Sequence, residues 1–138
     1  NPRAFSFSQA IPSMISQFKY NADGLIPAIV QDAASKRVLM MAWMNEQSIR
    51  MTLEKGMMCY WSRSRKKFWL KGETSGHTQR VKQWFVDCDK DTLLFEVEQH
   101  GGACHTGFES CFFQELDADG LPKAIEEQPL FDAEKTYG

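Results

Sequence analysis

Two apolar runs begin the legible pattern. GLIPAIVQ (24–31) and RVLMMAWM (37–44) each have the length of a strand, and the polar DAASK between them predicts a tight hairpin. The period then changes. Asn45 offers a helix N-cap, EQSIRMTLEK follows, and Gly56 stands where a helix ends. Ile49 and Leu53, one turn apart, give that helix an apolar stripe that Met51 or Thr52 broadens. Beyond it lie MMCYWSRS, KKFWLK, RVKQWFVD, TLLFEVEQ and SCFFQEL, short stretches rich in β-branched and aromatic residues with turn signals between them. These predict strands. SMISQFKY predicts a short helical turn, and from DADG (117–120) onward the pattern is a turn followed by extended or weakly ordered chain. The expected fold class is α+β, a mostly antiparallel sheet or barrel-like domain with one main helix, in a single domain spanning 1–138.

Composition narrows the function classes. With 43% apolar and 25% charged residues, the 138-residue chain has the make-up of a globular domain with a sizeable core. No apolar run spans a bilayer, and NPRAFSFSQA lacks a basic-then-apolar signal pattern, so no membrane partner is expected. A net charge of −2 supplies no field for bulk nucleic-acid binding. Four cysteines, at 59, 88, 104 and 111, are few for a disulfide scaffold. Reduced thiols in a cytoplasmic setting are the expectation, which raises metal binding or catalysis as their use.

Two stretches carry metal-ligand chemistry. In VDCDKDTLLFEVE (86–98), Asp87, Asp89 and Asp91 alternate, so an extended chain would put the carboxylates on one face and Cys88 on the other. A polar hairpin turn is the alternative, and it applies if Lys90 and Asp91 form the turn. A calcium loop is excluded, because Thr92 stands where that loop requires glycine and strand-like TLLFEVE follows. The second stretch, GGACHTGFESCFF (101–113), holds Cys104, His105 and Cys111. With Cys88 they make three thiols without C-x-x-C spacing. Catalytic zinc keeps three protein ligands and an open fourth position, whereas structural sites are closed by four. Neighbours on an extended chain face opposite ways, so His105 suits proton transfer better than binding the same ion as Cys104. Each thiol could instead be a small buried apolar residue, and Cys59 in MMCYW is read so.

A third stretch, WSRSRKKFWLKGETSGH (61–77), crowds Arg63, Arg65, Lys66, Lys67 and Lys71 beside Ser62, Ser64, Thr74 and Ser75. Guanidinium, ammonium and hydroxyl groups together suit phosphate oxygens. Gly72 and Gly76 allow close backbone approach. Such a run is also compatible with a solvated hairpin tip. A further alternative is an RNA- or nucleotide-binding module that stacks bases on Trp61, Phe68 and Trp69. His77 is a candidate base or a satisfied polar residue.

Taken in order, WSRSR…F.LKGETSGH, DCDKDTLLF and GGACHTGFESCFF, with VLMMAWMNEQSI.MTLE.G upstream, resemble the phosphoribosyl-AMP cyclohydrolase family of histidine biosynthesis, in its stand-alone form. The resemblance implies zinc on Cys88, Cys104 and Cys111, shared across an intertwined homodimer, and magnesium on Asp87, Asp89 and Asp91. It implies a hydrolase that opens the C6–N1 bond of the adenine ring of phosphoribosyl-AMP with a metal-activated water. His105 and then His77 would move protons, and Trp61, Ser62, Arg63, Ser64, Lys71, Glu73 and Ser75 would meet the substrate. A zinc nucleobase deaminase would need H-x-E and P-C-x-x-C, which are missing from this chain. A cysteine hydrolase is disfavoured too, because its histidine would lie across the fold and not next in sequence.

Overall fold

Asn45 fixes the start of the helix by a reciprocal exchange. Its side chain accepts from the Ser48 N–H at 2.8 Å, and Ser48 Oγ accepts from the Asn45 N–H at 3.0 Å. A cap of this kind stabilises a helix by about 1 kcal/mol. Helix α1 runs Glu46–Lys55 and ends at Gly56, whose φ of 73° is the left-handed conformation that costs glycine nothing. Ser48, Ile49 and Thr52 are its buried residues, so Thr52 broadens the stripe. The Thr52 hydroxyl donates to Ser48 O at 2.8 Å and accepts from Cys59 N at 2.9 Å.

The structure, a computed structural model, describes residues 13–133. After a 3-10 turn at Ile15–Gln17, where SMISQFKY predicts one, come β1 (Ile26–Asp32), β2 (Val38–Met44), α1, β3 (Cys59–Ser62), β4 (Lys67–Leu70), β5 (Gln79–Val86) and β6 (Leu93–Gln99). Four strands form one sheet in the order β2-β1-β6-β5, and β3 and β4 form a separate two-stranded sheet. The hairpins β1–β2 and β5–β6 are antiparallel, but the central pair β1–β6 is parallel. The fold is therefore α+β with mostly antiparallel pairing. The barrel-like expectation is corrected, because two open sheets do not close on each other into a barrel.

Ile26, Ala28 and Val30 alternate along β1 and are fully buried; Leu93, Phe95 and Val97 do the same on β6. With Leu39, Met44, Ile49, Met58 and Tyr60 they make one core between the large sheet, the helix and β3.

The expectation for one further segment changes. SCFFQEL forms no strand. Cys111 N donates to Leu39 O at 2.7 Å and the Ser110 hydroxyl donates to Val38 O at 2.7 Å, so the segment is tied to the start of β2 without forming a strand beside it. The tail after the Asp117–Gly120 turn is extended and bonded. Lys123 N donates to Glu115 O at 2.9 Å, and Leu130 N donates to Gly107 O at 2.7 Å. Among the described residues no helix is long and apolar enough to cross a membrane.

Candidate active site

The chain leaving β6 folds into a loop over residues 100–113. Gly107 N donates to Cys104 O at 3.0 Å, closing a turn that leaves Cys104 buried and His105 exposed. The two side chains diverge as the sequence suggests, but a turn separates them and not an extended chain. Cys104 Sγ lies 2.8 Å from Thr106 Oγ1. Cys111, held by its bond to Leu39, sits close to Cys104. Burial, then the charge of Cys104 and a hydrogen bond with it, push the Cys111 thiol up to about 11.

Lys71 completes this cluster. It is only 4% exposed, donates from Nζ to Ala103 O at 2.7 Å and lies 5.3 Å from the centre of the Trp69 ring. Burial lowers its pKa, and the two thiols oppose that shift. Lys71 is thus removed from the surface basic run in which the sequence places it. Two neighbouring sulfurs suit a thiophilic divalent cation, so these residues fit zinc. Cys59 is buried in the core, as its apolar neighbours imply.

Cys88 stands elsewhere. It is exposed in the turn that precedes β6, whereas Cys104 follows that strand. Among the described residues, no group of three ligating side chains within one chain joins the three thiols. Asp87, Asp89 and Asp91 do gather, all exposed, with their oxygens within 4.8 Å of one another. The turn brings them together, not strand alternation: Lys90 N donates to Asp87 O at 3.1 Å, and Lys90 takes a φ of 64°. Asp87 also accepts from Asp91 N at 3.0 Å, so it shapes the turn that aligns the others. Contacts with the side chains of Asp87 and then Asp89 push the Asp91 carboxyl up. A hard cation with oxygen ligands suits that crowding, and the residues fit magnesium.

The 61–77 stretch divides. Trp61, Ser62, Arg63, Ser64 and Trp69, with Met41, Ala42 and Trp43 of β2, line an open groove of about 540 Å3. The Arg63 guanidinium lies 4.8 Å from the centre of the Trp43 ring. Trp43 was hidden in the sequence inside an apolar run; only its half-buried position on β2 reveals it. Arg65, Lys66 and Lys67 form the exposed tip of the β3–β4 hairpin, the solvated role open to any charge run.

Glu73 is exposed in the turn after β4, and Ser75 Oγ accepts from His77 N at 3.2 Å. A Cβ on Gly72 would come within 2.6 Å of the His77 backbone, so that turn requires glycine. The His77 ring meets Phe131 edge-on, with centroids 4.3 Å apart. Burial, then the charges of Lys71 and His100, lower its pKa, against a hydrogen bond with the Gly102 backbone. Phe131, like Arg37 with its ion pairs to Glu109 and Glu127, carried no local sequence signal, because each acts on segments distant in the chain.

Comparison with known proteins gives a consistent result. The family model for phosphoribosyl-AMP cyclohydrolase matches residues 40–113. The chain is 51% identical over 130 residues to a phosphoribosyl-AMP cyclohydrolase of Chlorobium chlorochromatii, covering 94% of each chain. It is 54% identical over 128 residues to that of Pelotomaculum thermopropionicum, covering 93% of this chain and 98% of the other. With the protein of that name from Chlorobaculum tepidum it shares 53% over 126 residues, 91% of each.

Proposed function

The chain belongs to the phosphoribosyl-AMP cyclohydrolase family, and from that premise we propose that it is the zinc-dependent hydrolase that opens the adenine ring of 1-(5-phosphoribosyl)-AMP in histidine biosynthesis. The reaction adds water at C6 and breaks the C6–N1 bond, leaving a phosphoribosyl-formimino-aminoimidazole carboxamide ribotide in which N1 keeps its phosphoribosyl group. The observation that carries this reading is the pairing of buried Cys104 with exposed Cys111 beside Lys71, a sulfur site with no structural disulfide to explain it.

Cys104 and Cys111 hold zinc, and Cys88 from a second copy of the chain supplies the third sulfur, so the working enzyme is a homodimer. Bound zinc supplies Lewis-acid activation of water, lowering its pKa to about 7. His105, exposed beside Cys104, and His77, on the Lys71 side, take and return protons at the attacking oxygen and at N1. Well-placed acid–base groups contribute about 10²–10⁴-fold. Asp87, Asp89 and Asp91 hold magnesium and so meet substrate phosphate. Arg63, Ser62 and Ser64 anchor a phosphate at the groove, with Trp61 along the purine; Glu73 and Ser75 complete the substrate contacts, while Lys71, enclosed against Ala103 O, supports the sulfur site in place of the substrate contact expected of it. One domain carries all of this, in the cytoplasm.

The test joins metal analysis to turnover. Purified protein should contain zinc, and its exhaustive removal should abolish the ultraviolet change that accompanies ring opening, with activity returning on zinc addition. Full turnover by the zinc-free protein would reject the reading.

A further inference from the structure

We propose that Phe131 is a positioning residue for His77, carried to it by a C-terminal strap, Glu127–Phe131, that Arg37 clamps. The proposal rests on the acid–base reading of His77 given above.

A histidine that moves protons is commonly oriented by a partner on its second ring nitrogen. Here Nδ1 is buried, and no described residue hydrogen-bonds to it. Apart from a bond with the Gly102 backbone, the ring is set by packing. One neighbour is Gly101, where an added Cβ would come within 2.5 Å of His77 Cδ2. The other is the Phe131 ring, 4.3 Å away and inclined at 67°.

The strap reaches this position through specific bonds. Arg37 grips Glu127 with two hydrogen bonds, of 2.7 and 2.8 Å, and holds Glu109 at 2.8 Å. Leu130 N then donates to Gly107 O at 2.7 Å. Two glycines of the catalytic loop are shaped to receive it: a Cβ on Gly107 would meet Phe131 O at 2.5 Å, and one on Gly102 would meet Phe131 Cε1 at 2.9 Å. The strap thus touches both the loop bearing Cys104 and His105 and the ring of His77, two parts of the site that come from different stretches of chain.

The experiment is steady-state kinetics on the zinc-loaded protein with Phe131→Leu, Phe131→Tyr, His77→Asn and the pair Phe131→Leu/His77→Asn. Phe131→Leu should lower kcat about tenfold with KM held within about twofold, and Phe131→Tyr should restore kcat. If Phe131 acts through His77, the double variant is no slower than His77→Asn alone. The His77 ring-proton resonances should also move in Phe131→Leu, because the aromatic ring current is lost. Should the leucine variant fail to fold, Phe131→Met gives the same comparison. Unchanged kcat in the folded variant, or losses that multiply in the double variant, overturns the positioning role while leaving His77 as a proton carrier. Full activity in His77→Asn is the separate result that rejects the acid–base reading itself, and the positioning role with it.

Discussion

Lys71 donates its buried ammonium to Ala103 O at 2.7 Å, which sets a positive charge one residue from Cys104. That charge partly offsets the rise of the Cys111 thiol. Lys71→Met should therefore slow alkylation of Cys111 in zinc-free protein at pH 8, since the thiolate is the reacting form. Peptide mapping of labelled protein gives the rate, and a rate equal to wild type argues against electrostatic coupling. Turnover should also fall about tenfold or more, through lost charge and a loosened loop.

The separation of Cys88 from Cys104 and Cys111 within one chain makes a subunit-mixing experiment decisive. Cys88→Ser and Cys104→Ser proteins should each be nearly inactive. Unfolded together and refolded, they should regain about a quarter of wild-type activity, because about half the dimers are mixed and each holds one intact site. Mixtures as inactive as their parents would mean that each chain builds its zinc site alone.

Arg63 lies over Trp43 in the open groove, whose lining includes no cysteine. Its proposed duty is binding. Arg63→Ala should raise KM about tenfold and change kcat by no more than about threefold. A variant with normal KM and a depressed kcat would contradict the anchoring role.

Arg37 bridges Glu109 and Glu127, and each side chain is about one-third exposed. Arg37→Ala should cost about 1 kcal/mol in urea unfolding, near the upper end for partly solvated ion pairs. The pH dependence follows from Glu127, whose carboxyl is lowered below its usual 4.5 by the hydrogen bonds from Arg37, against slight desolvation. A lowered folded pKa contributes stability that is whole above 4.5 and drains away as pH falls through the folded value. Wild type should thus lose part of its margin over Arg37→Ala as acid is added. A difference constant down to pH 3 would contradict the pairing.

Local chemistry made much of this molecule legible. The reciprocal cap at Asn45, the glycine stop at 56 and the Asp32–Lys36 turn are encoded by near neighbours, and they lie where the sequence predicts. The acidic triplet was visible as well, though as alternation on a strand when a turn gathers it. What stayed hidden depends on distant partners. Parallel pairing of β1 with β6 has no signature in either strand. SCFFQEL, strand-like in composition, is irregular chain tied to Val38 and Leu39 of β2 by Ser110 and Cys111. Lys71 follows a strand whose first lysine is solvated, and only the packing of the 100–113 loop shows that its own ammonium is enclosed.

The parallel pair at the centre of the large sheet also governs when the protein can come into being. Strand β1 emerges early from the ribosome, but its neighbour β6 is made only after the helix and the remaining strands. Until then the first hairpin keeps one edge unpaired and apolar, and the nascent polypeptide has no stable half-built stage on which to rest. Synthesis stalled before Leu93 should consequently yield a species that chaperones hold and proteases clear.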